Sequence, residues 1–138
     1  MGVYDQWSHL TTAEKAIIAA LAVTDPVKVA MIKISKDRAF NETTSRFGYN
    51  GHNDQTDAFR HCFWSATLAR DIGSFWAKAF TDAHETNPGQ PPGEKAMDLH
   101  NNSVGLKIGF YYFIPDSDKA LSDKCFQALQ SGQLQTSP

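Results

Sequence analysis

The chain has 138 residues, of which 41% are hydrophobic and 20% charged; 13 basic and 15 acidic side chains give a formal net charge of −2. That balance excludes disorder as the main state, and the length suits one domain whose core needs neither a disulfide nor a metal in order to fold. The near-neutral charge argues against a basic face for duplex DNA, and the longest apolar run, Ala16 to Val23, falls far short of the roughly 18 residues that span a bilayer, so no transmembrane segment is expected.

Met1-Gly2-Val3-Tyr4-Asp5-Gln6-Trp7 lacks a basic region followed by an apolar one. The protein is therefore expected to be made in the cytoplasm without a signal peptide, and its export would need a dedicated secretion system. Thr12 to Ala22 reads as a helix capped by Thr11 or Thr12, with Glu14 and Lys15 in its first turn. A second helix starts at Asp25-Pro26 and runs to about Asn41, with Val27, Met31, Ile34 and the stem of Arg38 as its core stripe. Phe47 to Asn53 is a loop marked by two glycines. A third helix spans about Asp54 to Ile72 and stops at Gly73; a fourth takes Ser74 as its N-cap and continues to about Glu85. Asn87-Pro88-Gly89-Gln90-Pro91-Pro92-Gly93 reads as a stiff loop. A fifth helix covers about Glu94 to Gly109, and a last one Ser117 to Leu129. Phe110 to Ile114 could form a short strand but has no partner run, and residues 133–138 read as a frayed tail. The expected architecture is all-α, a single-domain bundle of five or six helices over residues 1–138. Cys62 and Cys125 are too sparse for a disulfide framework and read as buried small side chains.

Polar chemistry concentrates in the middle. Asn50 to Gly105 carries seven acids against four bases and four of the five histidines. On the third helix Asp57, His61, Trp64, Leu68 and Ile72 share one side, so a carboxylate and an imidazole head a stripe of core residues. Burying them costs several kcal/mol unless they pair or bind something. Trp76, Phe80 and His84 form a second row, followed by Glu85; Pro88 stands where an HExxH zinc site would need its second histidine, which rejects that motif. The fifth helix carries Asp98, His100, Asn101 and Asn102, then Gly105 and Gly109, which imply close packing or a backbone approached by a ligand. Three helix ends could thus bring together Asp57, His61, His84, Glu85, Asp98 and His100, ligand types that suit one divalent zinc, manganese or iron ion. The same groups suit metal-free acid–base chemistry, with Asp57 orienting His61 and Arg60 stabilising an oxyanion. Arg60 could equally anchor a loop. His9 and His52 read as loop or surface residues, although His52 could reach the site.

The blocks Gly51-His52-Asn53-Asp54 with Asp57-Ala58-Phe59-Arg60-His61, then Asp82-Ala83-His84-Glu85, then Met97-Asp98-Leu99-His100-Asn101-Asn102, resemble a poorly characterised bacterial domain. That domain is associated with C-terminal toxin modules of polymorphic and type VI-type secreted effectors, and the likeness covers roughly residues 50–109. The resemblance implies that Asp57, Arg60, His61, His84, Glu85, Asp98, Asn101 and Asn102 carry the activity, with His100 at a variable place. The expected partners are a bacterial cell-envelope or phosphoester substrate and a cognate immunity protein.

Three functions follow as expectations. The first is a small antibacterial hydrolase acting on phosphoester or lipid ester bonds through a water activated by metal or by His61. The second is a peptidoglycan hydrolase, using a carboxylate pair such as Glu85 and Asp98 or a metal-assisted amidase site. The third is a non-catalytic binding or adaptor module whose polar cluster only fixes helix packing, with Phe110 to Phe113 as its partner or membrane surface; the alternative for that run is a buried terminal helix or strand. The absence of a GxSxG elbow excludes an α/β serine lipase.

Overall fold

A computed structural model of the chain describes residues 9–138; the reading of Met1 to Trp7 lies outside them. Six helices and no strand occur among the described residues: α1 Thr12–Thr24, α2 Pro26–Phe47, α3 Gln55–Ile72, α4 Ser74–His84, α5 Pro92–Gly109 and α6 Asp118–Gln130. The all-α expectation therefore holds, with the helix count at its upper value.

α3 is the axis of the bundle, packed against α2, α4, α5 and α6. It is buried on nearly every side, from Ala58 and Phe59 through Cys62, Phe63 and Trp64 to Leu68 and Ile72, so the single stripe expected from the sequence was too narrow. A helix buried on nearly every side sits inside a domain rather than on its face. α5 lies directly on α3. A Cβ on Gly105 would stand 2.1 Å from the Cys62 carbonyl oxygen, and one on Gly109 2.0 Å from that of Ala66. The two glycines thus serve close backbone packing, not a ligand.

Several expected boundaries shift. α2 continues six residues past Asn41 to Phe47 and ends at Gly48, whose φ of 84° is the left-handed conformation a helix C-terminus favours. Its Thr43 looks like a breaker but is buried and donates its hydroxyl to the Ala39 carbonyl at 2.7 Å. The α2 core stripe is Val29, Ile32, Ser35, Lys36, Ala39 and Thr43; Val27 is exposed. α4 has Gly73 rather than Ser74 at its N-cap, with no side-chain cap. Pro92 and Gly93 form the first turn of α5 instead of ending the loop, because proline at the first helical position loses no hydrogen bond. Phe110 to Ile114 is an irregular, exposed segment, reaching 93% exposure at Phe113, not a strand or a buried run. The tail is docked rather than frayed. Leu134 is buried, and the Asn101 amide exchanges two hydrogen bonds of 2.9 Å with the Gln135 backbone. Cys62 and Cys125 are buried free thiols, 3.0 Å apart.

Candidate functional site

A cleft of about 470 Å³ opens where the N-terminal turns of α3 and α5 meet the C-terminal end of α4 and one side of α2. The entry to α3 is built by its cap. Asp54 accepts hydrogen bonds from the backbone N–H groups of Thr56 and Asp57 at 2.9 and 3.0 Å, as an N-cap acid should. The preceding loop folds back over this turn: the Asn53 N–H donates to Asp57 Oδ2 at 2.7 Å. Arg60 donates to the Gly51 carbonyl, to Asn50 Oδ1 and to Asp57 Oδ1, at 3.0, 3.1 and 2.6 Å. Its guanidinium also lies 4.7 Å from the centre of the Phe40 ring. Arg60 therefore lines the cleft while anchoring the loop.

His61, one turn further, forms the floor. Its Nδ1 faces Asn102 Oδ1 at 3.1 Å, an oxygen that also accepts from the Ser65 hydroxyl, while the Asn102 amide N–H donates to Glu85 Oε2 at 3.0 Å. That chain of bonds assigns the amide oxygen to the histidine side, so Nδ1 carries the proton. Nε2 is left facing two carboxylate oxygens, Asp57 Oδ1 at 3.3 Å and Asp98 Oδ1 at 3.4 Å. Gln90 uses one amide nitrogen to bridge Glu85 Oε1 and Asp98 Oδ2, at 3.1 and 2.9 Å. Asp98 Oδ1 is buried and has no hydrogen-bond partner.

The electrostatics record the crowding of acids around one imidazole. Burial raises the Asp98 carboxyl, and the neighbouring Glu85, Asp57 and Glu94 charges add to that against the pull of His61, leaving it at about 6. Burial also opposes ionisation of Asp57, but its bond to His61 and its other donors outweigh this and hold it at about 2. For His61 itself, desolvation disfavours the charged ring, yet Asp57, Asp98 and Glu85 together raise its pKa. The pocket calls for a positive charge between its carboxylates, either a proton or a cation.

A second group sits on the α2–α4 side. Glu14 of α1 closes its capping box through Oε1, which accepts the Thr11 N–H at 2.9 Å. Its Oε2 faces Lys36 Nζ at 3.4 Å and His84 Nδ1 at 3.2 Å. Lys36 Nζ in turn lies 3.3 Å from His84 Nδ1 and 5.5 Å from the centre of the Trp64 ring. The rings of His61 and His84 have centres 6.4 Å apart. On the opposite rim, Glu94 Oε1 accepts from Asn53 at 2.7 Å and pairs with the exposed His52 at 2.5 Å.

The structure thus brings together Asp57, Arg60, His61, His84, Glu85, Asp98 and Asn102. Asn101 is not among them, since its amide clamps the tail, and His100 is exposed with Nε2 2.8 Å from the Gln133 carbonyl. Of the six expected metal ligands only Asp57, His61 and Asp98 present donor atoms all within 4.8 Å of one another. His84 and Glu85 stand behind or beside them. Sequence reasoning missed Glu14, Lys36 and Gln90 as parts of the site, and His9 and Glu94 as lining residues. Glu14 was visible only as a capping acid, Lys36 as an ordinary helix cation, and Gln90 lay in a segment with no periodicity to read.

Residues 19–133 match the family described as Domain of unknown function (DUF6973), and the chain belongs to that family. No solved structure matches the chain.

Proposed function

We propose that the protein is a small hydrolase in which Asp57, His61 and Asp98 hold one divalent cation, zinc, manganese or iron. The observation that carries this reading is the Nε2 of His61: with Nδ1 committed to Asn102, it faces two carboxylate oxygens, one of them buried without a hydrogen-bond partner. One imidazole and two carboxylates suit these ions, and such a cation lowers the pKa of a bound water to generate a nucleophile near neutral pH. Asn102 and Glu85 would orient the histidine, the role that supporting residues commonly play behind a metal-bound imidazole. Glu85 has both oxygens engaged, so it supports the site rather than acting as one of a free carboxylate pair.

The bonds cleaved are phosphoester bonds or lipid esters, in a bacterial cell-envelope or phosphoester substrate. The effector role, with delivery by a secretion system and neutralisation by an immunity protein, rests on the resemblance of the three sequence blocks. Two assays test the reading. Hydrolysis of a p-nitrophenyl phosphodiester and of phospholipid vesicles by the manganese- or zinc-loaded protein should stop on chelation and return on reloading. Expression in a bacterial host should be toxic for the wild type and harmless for a folded Asp98→Asn variant. Hydrolysis unaffected by chelation would overturn the metal-dependent mechanism.

A further inference from the structure

The Lys36 ammonium is an unusual object for the wall of a cleft. It is only 7% exposed, yet its carboxylate partner is 3.4 Å away and its other polar neighbour, His84 Nδ1, 3.3 Å. Charge-assisted bonds are normally nearer 2.7–2.9 Å. An ammonium has three protons, and the third has no acceptor among the described residues. Burial lowers the Lys36 pKa while Glu14 works against that fall. The side chain lines the same cleft as His61 and Asp98.

His84 completes the wall. Its Nδ1 is the atom near both Glu14 and Lys36, so Nε2 is the nitrogen left for a ligand. When Lys36 donates into Nδ1, the ring proton sits on Nε2 and points outward as a donor; an oxyanion at Nε2 selects that arrangement.

We propose that Lys36 and His84 form an oxyanion-binding wall, so that the group held between it and the Asp57–His61–Asp98 centre is a phosphoryl group. The substrate class is then a phosphate ester. The wall supplies donors to the non-bridging oxygens while the centre faces the phosphorus from the other side. The inference rests on reading this cleft as the substrate site, but not on the identity of the cation. Glu14, whose Oε2 faces Lys36 Nζ and His84 Nδ1, competes with the oxyanion for these groups.

The test is calorimetric titration of inorganic phosphate, and separately of dimethyl phosphate, into wild type with and without manganese. The variants are Lys36→Arg, Glu14→Gln and the charge-balanced double variant Lys36→Met with Glu14→Gln, each checked for its helical circular dichroism. The double variant avoids leaving a buried carboxylate unpaired. Wild type should bind phosphate at millimolar concentrations or below. The double variant should bind it about tenfold more weakly or worse, with manganese affinity nearly unchanged. Lys36→Arg should retain binding, and Glu14→Gln, with the competing carboxylate gone, should bind more tightly. Dimethyl phosphate binding as well as phosphate points to a diester; phosphate alone points to a monoester. A wild type that binds manganese but neither phosphate probe overturns this proposal and spares the metal reading. Phosphate binding without any manganese binding does the reverse. A double variant that folds and binds phosphate like wild type also overturns it.

Discussion

The contact between α3 and α5 has two halves made on opposite principles. Toward their C-termini the helices meet backbone to backbone: Gly105 and Gly109 rest on the carbonyls of Cys62 and Ala66, with no room for a methyl group. Toward their N-termini Asp57, His61, Asp98 and Asn102 fill the space between the same two helices with polar side chains. One half leaves no room for a single added carbon; the other keeps a carboxylate oxygen without a hydrogen-bond partner. The first half fixes the relative position of the helices, and that rigidity is what lets the second half hold mutually repelling acids in place. On the proposed reading, stability and function are separated along a single interface.

Substitutions can break this comparison, beginning with the tight half. Gly105→Ala places a methyl group 2.1 Å from a backbone oxygen that cannot move cheaply, and should destabilise the fold by about 3 kcal/mol in chemical denaturation. A neutral result would mean that the helices slide freely and that the site is not held by them.

Glu14→Gln should cost a similar amount, roughly 3 kcal/mol near neutral pH. The Glu14 carboxyl is opposed by burial but lowered overall by His84, Lys36 and the Thr11 N–H, from 4.5 to about 2. A depressed carboxyl contributes stability above its unfolded value and loses it as pH falls. The gap between wild type and variant should therefore be constant above about pH 4.5 and narrow toward pH 2. Denaturation curves for the two proteins across that window check it; a gap that does not change with pH would assign the effect to packing alone.

Asn102→Ala removes the acceptor that sets the His61 tautomer. It should weaken cation affinity roughly 10- to 100-fold with a smaller effect on activity measured at saturating metal. Competition with a metal-binding dye measures the first quantity directly.

The smallest stability effect is expected at Asp98→Asn. Removing one of the acids around His61 should leave the metal-free fold within about 1 kcal/mol of wild type, or more stable, while abolishing tight cation binding. A loss of about 3–5 kcal/mol would instead identify Asp98 as the buried ion-pair partner of His61 and favour a structural cluster.

The difference between the halves also explains what could be read from the sequence. The helices of the bundle announce themselves through Thr11, Pro26, Asp54, Ser117 and Gly73, because capping and helix termination are local, whereas the end of α2 at Gly48 was placed too early, near Asn41. Asp57, His61 and Asp98 were legible because acids and imidazole on a core stripe are expensive. Glu14 and Lys36 were not, since each has a cheap local explanation and their meeting depends on how α1 and α2 cross α4. Asn101 was assigned to the site through the resemblance of its block and His100 through its place beside Asp98 and Asn102, yet successive helical residues point about 100° apart and theirs face the tail. The docking of residues 133–138 was invisible for the same reason: Leu134 and Gln135 carry no periodicity, and only the partner surface on α5 orders them.

The central claim is that the polar half is a cation site, and elemental analysis of purified wild type and His61→Ala tests it most directly. The account predicts about one zinc, manganese or iron per wild-type chain and none in a variant that keeps its helical content. Wild type that carries no metal, and takes up none when each of the three ions is supplied, would contradict it.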